Sequence, residues 1–266
     1  MARGARVEPV ADAPAAVADY GSGRAVVVGD YHAGIEAGLR YERGVELPSN
    51  AADRRQRLLD LVERTGVDRL VVLGDLSHRI GSVEGSEREE LDALYSALIE
   101  ERDVPITVAP GNHDSGLSEL WDQRAGVDIL PPSGGLLGDD QQGAIGIFHG
   151  HTWPDPSLLS AEVVCMAHEH PTVKLTDSVG GYRTEKAWLR GRLDRAVMAE
   201  GGGYDPAKLS WADPQLVVLP AFNRRSGGTW INVEGEGFLA PFLPDGLRDG
   251  ELYLLDGTRL GSYQSV

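Results

Sequence analysis

Five short apolar runs punctuate the chain up to residue 170, and each stops at a side chain able to ligate a metal. Residues 25–28 lead through Gly29 to Asp30 and His32, residues 70–73 through Gly74 to Asp75, and residues 106–109 through Pro110 and Gly111 to Asn112, His113 and Asp114. Residues 144–148 stop at His149, and residues 163–167 at His168 and His170. Runs this short, rich in Val and Ile and bounded by Gly or Pro, are expected to form buried strands rather than helices. Between the first three lie helical patterns. Residues 51–65 set Leu58, Leu61 and Val62 on one face against Arg and Asp on the other, with Gly66 as a C-terminal stop. Residues 86–101 open with Ser86 three positions before Glu89, the spacing of a capping box, and stack Leu91, Leu94, Tyr95, Leu98 and Ile99 on one side. Strand, helix, strand, helix, strand is the signature of an α/β fold, whose ligands sit beyond the carboxyl ends of the strands. The five strand ends are therefore expected to meet at one site.

After Pro171 the pattern changes to short, turn-separated runs at 172–175, 182–189, 215–219 and 229–233, then a hairpin-like pair, 252–255 and 259–263, around Asp256-Gly257. These predict a second, mainly antiparallel sheet. Residues 192–200 are expected to be helical and to end at Gly201-Gly202-Gly203, and residues 16–20 to form a short strand that turns through 21–23 into the first buried one. A single domain over 1–266 is expected, with a motif-bearing α/β half at 25–171 and a mainly antiparallel half at 172–266.

Composition narrows the picture. A hydrophobic share of 41% and an aromatic share of 6% suit a soluble globular chain. No stretch approaches the ~20 continuous apolar residues of a bilayer crossing. Residues 1–19 are interrupted by Pro9, Asp12 and Pro14 and lack an apolar core, so no secretion signal is expected and the cytoplasm is the default location. Cys165 is the only cysteine, which excludes an intrachain disulfide and a thiolate metal cluster. The formal charge is −16, with 41 acidic residues against 25 basic ones, of which three are lysine. Such a surface repels polyanions in dilute buffer. It is expected in a halophilic, high-salt cytoplasm, where repulsion is screened within a few ångströms. A local arginine cluster or a bound metal can still override the global sign.

All seven histidines, His32, His78, His113, His149, His151, His168 and His170, fall in or beside the strand-exit loops. A lone histidine at a strand end is ordinarily a satisfied polar residue, but seven of seven gathered with two Gly-Asp pairs form a constellation. Asp, Asn and His are oxygen and nitrogen ligands suited to Mn²⁺, Fe, Zn²⁺ or similar ions. Asp30-x-His32, Gly74-Asp75, Gly111-Asn112-His113-Asp114, His149 and His168-Glu169-His170, in that order, resemble the motifs of the calcineurin-like metallophosphoesterases. Ala167 stands where the last motif usually has Gly, which leaves both histidines in place.

The resemblance implies a four-layer architecture of two packed sheets flanked by helices, with a two-metal site at the strand ends. One metal would be held by Asp30, His32, Asp75 and His170, the other by Asp75, Asn112, His149 and His168. Asp75 would bridge them, offsetting the repulsion between two cations roughly 3.5–4 Å apart. The reaction implied is phosphoester hydrolysis by a metal-bridging hydroxide, with Mn²⁺ favoured and Fe, Zn²⁺ or Ni²⁺ as alternatives. His113 would bond the phosphate or protonate the leaving oxygen, and Asp114 would orient His113. His78 and His151 would support ligands or touch substrate, and Glu169, between two ligands on an extended segment, would point away.

Finer features resemble the archaeal SbcD-related phosphoesterases and the bacterial ligase-associated DNA endonuclease. They are Gly34-Ile35-Glu36, Leu76-Ser77-His78 after Asp75, Gly150-His151-Thr152-x-Pro154 after His149, and Leu219-Pro220-Ala221-Phe222-Asn223 followed by Gly227-Gly228. That group implies a phosphodiesterase or nuclease acting on nucleic acid beside DNA-repair or ligation partners. Arg224 and Arg225, in the Gly-rich stretch after Asn223, are the local candidates for phosphate contact, or else a solvated turn. The runner-up substrate is a phosphomonoester or a nucleotide pyrophosphate. From another class, a non-catalytic scaffold with the same fold would be expected to have lost ligands and His113, and none is lost here.

Overall fold

The computed structural model describes residues 6–138, 143–233 and 235–266; residues 1–5, to which the reading of the N-terminus extends, lie outside them. A first sheet runs in chain order through β1 (Arg6–Pro9), β2 (Ala16–Asp19), β3 (Arg24–Gly29), β4 (Arg69–Leu73), β5 (Ile106–Val108) and β6 (Val127–Ile129). β1 to β3 form an antiparallel meander, and β3 to β6 are parallel. The intervening chain supplies α1 (Ile35–Arg43), α2 (Ala51–Thr65), α3 (Gly85–Tyr95) and α4 (Leu117–Trp121).

The second sheet holds β7 (Gly135–Leu137), β8 (Ile145–Ile147), β9 (Val163–Met166), β10 (Pro171–Thr176), β11 (Tyr182–Leu193), β12 (Gln215–Val218), β13 (Thr229–Trp230), β14 (Leu247–Leu254) and β15 (Arg259–Ser262). The spatial order is β13-β10-β11-β12-β9-β8-β7, with β14 on β11 and β15 on β14. This sheet is mixed, because β8, β9 and β12 pair in parallel while most of its remaining pairs are antiparallel. It also begins before residue 171. Three of its strands come from the stretch assigned to the first half, so His149, His168 and His170 leave from the second sheet, while Asp30, Asp75 and Asn112 leave from the first.

The continuous apolar runs follow from burial on both faces. On β3, Val26 and Val28 pack with Leu58, Leu61 and Val62 of α2 and Leu91 and Leu94 of α3, whereas Ala25 and Val27 face Ile147, Cys165 and Val217 of the second sheet. The far face of that sheet, with Val164, Met166 and Leu216, is covered by Met198 and Ala199 of α5 (Arg195–Gly201) and by Phe148 and Phe242. Two mixed sheets flanked by helices result, with Cys165 a buried core thiol between them.

Local signals held unevenly. α2 stops at Gly66, whose φ of 57° is the left-handed cap and whose N–H reaches the Val62 carbonyl. The capping box at Ser86 is not made: α3 starts at Gly85 without a side-chain cap, and its last turn relaxes into a π-helix over Ser96–Glu100. α5 starts at Arg195 because β11 extends to Leu193, and Asp194 caps the amides of Ala196 and Val197. Among the described residues, no helix is long and apolar enough to cross a membrane.

Candidate metal centre

The parallel strands of both sheets stop in register, Gly29 beside Leu73 and Val72 beside Val108 in one, Ile147 beside Cys165 and Met166 beside Val218 in the other. The loops that follow converge. Asp30 N–H donates to the Gly74 carbonyl at 3.1 Å, His32 N–H to the Asp75 carbonyl at 2.8 Å, and Asn223 N–H to the Asp30 carbonyl at 3.0 Å. Asn223 also donates its side-chain amide to the carbonyls of Tyr31 (2.8 Å) and His32 (3.3 Å), which ties the exit of β12 to that of β3.

Five of the nine described non-glycine residues with left-handed backbone sit here: Asp30, His32, Asp75, His168 and His170, with φ between 43° and 68°. Such conformations cost of order 1–3 kcal/mol each and persist where the surroundings over-determine them. The bend aims alternate side chains, 30 with 32 and 168 with 170, at one point. Two glycines make room. A Cβ on Gly74 would strike the His149 ring, and one on Gly111 the Asp75 carboxylate.

Asp30, His32, Asp75 and His170 each offer a ligand atom, all within 4.8 Å of one another. His170 Nε2 lies 3.1 Å from Asp30 Oδ1, and His32 Nε2 lies 3.9 Å from Asp75 Oδ2. On the other side of Asp75, His149 Nε2 is 3.6 Å from Oδ1, and His168 Nδ1 is 3.1 Å from His149 Nε2. Carbonyls fix two of these rings: His149 Nδ1 donates to Leu73 at 2.8 Å and His170 Nδ1 to Gly227 at 2.9 Å. Both leave Nε2 turned inward, the arrangement that orients metal-ligating histidines elsewhere. Asn112 shares the turn with Gly111 and His113, and its side chain is exposed.

The electrostatics suit a cation. Both oxygens of Asp30 are fully buried, and the group nearest them is His170 Nε2, 3.1 Å from Oδ1. Burial would raise this carboxyl, but His170, His149 and His32 overcome it and hold it at about 2. Burial, opposed by His149 and reinforced by the charges of Asp30 and Asp114, pushes Asp75 up to about 6. Burial also takes His32 well below its ordinary value, and burial with His149 beside it brings His168 to about 3. These imidazoles are therefore neutral, the form that ligates. His170 is the exception: the Asp30 charge outweighs burial and raises it to about 9. Two buried carboxylates beside the neutral imidazoles of His32 and His168, with His170 able to ligate once it gives up its proton, are a donor set that fits divalent cations, and no thiolate intrudes.

Residues 23–215 match the calcineurin-like phosphoesterase family. The chain belongs to that family. No curated protein matches the sequence. Among solved structures, the nuclease MPE of Pseudomonas putida shares the fold at 17% identity, with a TM-score of 0.53 over 96% of this chain and 100% of that one. YfcE, a phosphoesterase of E. coli, is 20% identical over 58% of this chain and 74% of its own, with a TM-score of 0.36.

Around this candidate centre the remaining expected residues divide. His113 stands at its open side, with Nε2 3.9 Å from Asp75 Oδ2 and its N–H donating to Asp75 Oδ1 at 3.0 Å. Asp114 does not orient it. The Asp114 carboxylate accepts from Ser77 N–H (2.9 Å), Ser77 Oγ (2.7 Å) and Gly111 N–H (2.9 Å), stapling the loops after β4 and β5, and the His113 Nδ1 bond goes to the carbonyl of His78. A backbone carbonyl next to a ring is invisible in a sequence, which is why the adjacent carboxylate drew the role. His78 itself packs against α1 at Gly38, with Nδ1 3.4 Å from His32 Nδ1. His151 lies tilted against His149 and edge-on to His168, and burial with His149 nearby lowers it to about 4.

Arg225 is not free to meet a phosphate. It pairs with Glu36 at 2.9 Å and donates to the Pro48 carbonyl at 2.8 Å. Arg224 is exposed, 4.0 Å from Asp53. Glu169 turns away as expected and is a buried structural carboxylate, accepting from the amides of Leu239 and Ala240. Glu87, not singled out by any motif, holds the His78 loop by accepting from the amides of His78 and Arg79; acidic residues on the apolar side of α3 were the available signal.

Proposed function

We propose that this phosphoesterase hydrolyses phosphodiester bonds of nucleic acid, using two divalent cations with Mn²⁺ favoured, as one domain in a high-salt cytoplasm beside DNA-repair or ligation proteins. The observation that carries the metal reading is the convergence of Asp30, His32, Asp75 and His170, one ligand atom from each within 4.8 Å of one another, around a fully buried Asp30 carboxylate whose desolvation cost a cation offsets. Asp30, His32, Asp75 and His170 would hold one ion, and Asp75, Asn112, His149 and His168 the other; the two oxygens of Asp75 face the two sets. When bound, the ions supply charge neutralisation at the phosphoryl oxygens and activation of water at neutral pH.

The chain's own groups do the rest. The carbonyl bonds at Nδ1 of His149 and His170 keep their Nε2 atoms turned inward. His113, its Nδ1 held by the His78 carbonyl and its side chain 27% exposed, keeps Nε2 where a phosphate enters, able to bond a phosphoryl oxygen or pass a proton to the leaving oxygen. Asp114 holds the two loops that carry Asp75 and His113 in register. Nucleic acid as substrate is supported by the sequence features shared with the SbcD-related and ligase-associated group.

A substrate panel with Mn²⁺ in concentrated KCl tests this: bis-p-nitrophenyl phosphate, p-nitrophenyl phosphate, cyclic nucleotides, and single- and double-stranded DNA. Hydrolysis of the diester and of DNA is expected. Faster turnover of the monoester would establish the phosphomonoesterase reading, and metal binding with no hydrolysis of any substrate would establish the scaffold.

A further inference from the structure

Beside the metal centre, behind the peptide 221–223, lies a cleft of about 350 Å³ in which Arg57 and Arg64 of α2, Lys186 of β11 and Arg224 converge. Only Asp12 and Asp60 answer them along the lining, and even with Asp53, 3.2 Å from Arg57 and 4.0 Å from Arg224, the cations are in excess. On a chain of net charge −16, a concave cationic patch is the exception. We infer that this cleft seats a second phosphate of the nucleic-acid strand whose scissile diester lies at the metal centre. The inference rests on the phosphodiesterase reading and adds where the strand runs.

Three observations support it. The cleft and the centre share a wall: Lys186 Nζ donates to the carbonyls of Ala221 and Asn223, while Asn223 N–H and its side chain hold the backbone of Asp30, Tyr31 and His32. The cations are arranged in advance, with the Arg57 guanidinium 4.9 Å over the buried Phe222 ring and Lys186 fixed by its two carbonyls, so little side-chain freedom is lost on binding. They are also under-neutralised. Burial first, then the charge of Arg57, opposed by Asp30 and reinforced by Arg224, draws Lys186 down to about 8, and an anion in the cleft would offset the repulsion among these cations. Arginine suits the ligand, since its planar fork matches phosphate.

The test is strand binding by the full chain in EDTA, read by fluorescence anisotropy of a labelled oligodeoxythymidine across a range of KCl, for wild type, Arg64→Glu and the Arg64→Glu/Arg224→Glu pair. Unchanged circular dichroism and unfolding midpoints would show that the variants fold. The double variant is expected to bind at least about tenfold more weakly, and its salt slope to fall by roughly 0.7, the value for one phosphate of a single strand that is no longer neutralised. Unchanged affinity and slope, or no strand binding by wild type, overturns the inference. So does pyrophosphate binding that both substitutions abolish while strand affinity stays as it was, because the cleft then serves a small free phosphate. Weakened strand binding alongside a wild type that hydrolyses no diester with Mn²⁺ keeps the cleft and removes the hydrolase; DNA hydrolysis with unaltered strand affinity does the reverse.

Discussion

The Asp30 carboxylate is fully buried among three imidazoles, with His170 Nε2 3.1 Å from its Oδ1. A cation that binds only the folded chain must then add to stability. At a hundredfold excess over its dissociation constant, Mn²⁺ should contribute about 2.7 kcal/mol and raise the unfolding midpoint by roughly 5–10 °C. Asp30→Asn should lose most of that gain, which differential scanning calorimetry with and without Mn²⁺ would measure; an undiminished gain would place the ion elsewhere. His113 is bound to the framework through Nδ1 and not through its free nitrogen. His113→Ala should therefore keep the Mn²⁺-dependent midpoint while diester turnover falls by about 10²–10⁴-fold. Loss of the midpoint gain would show instead that the ring helps to hold metal.

At the scale of elements, the loops at the centre rest on a buried ionic core between helices. Arg54 of α2, 1% exposed, bonds Glu36 of α1 at 3.1 and 3.2 Å and Glu90 of α3 at 2.7 and 2.8 Å, and Glu90 also accepts from the Gly34 amide at 2.9 Å, two residues after His32. Arg225 closes the cluster from outside. Arg54→Met would leave two buried carboxylates facing each other, with a cost of about 3–5 kcal/mol readable by urea denaturation. Replacing Arg54, Glu36 and Glu90 together by apolar residues should recover much of it. This core also explains why α1 has no sequence signature. Its buried positions are Ile35, Glu36 and Gly38, a carboxylate and a glycine where an amphipathic pattern would carry leucine. Glu87 and Glu90 of α3 are buried anchors of the same kind.

Over the whole molecule the dominant fact is charge. A formal −16 spread over a structure whose exposed acids outnumber their partners stores self-repulsion, which screening relieves as the Debye length shrinks from about 10 Å at 0.1 M to about 3 Å at 1 M salt. Unfolding midpoints should rise steadily with KCl over that range. A midpoint indifferent to salt would remove the halophilic reading. The same repulsion sets the scale for a polyanionic substrate, which must rely on local cations and bound metal.

The sequence by itself determined the buried parallel strands and the chemistry at their ends, because apolar runs that stop at Asp, Asn and His reflect local backbone geometry and ligand type, both carried by adjacent residues. The stop at Gly66 and the outward turn of Glu169 follow from the same short-range rules. Only the tertiary structure decided which sheet each ligand strand joins, since parallel pairing of β8, β9 and β12 spans many residues. It alone assigned the His113 bond to the carbonyl of His78 and Asp114 to the amide of Gly111 and to Ser77. It also engaged Arg225 with Glu36 and left Arg224 facing the cleft. A side chain's partner is set by distances in the folded chain, and a backbone carbonyl is the same at every position in a sequence.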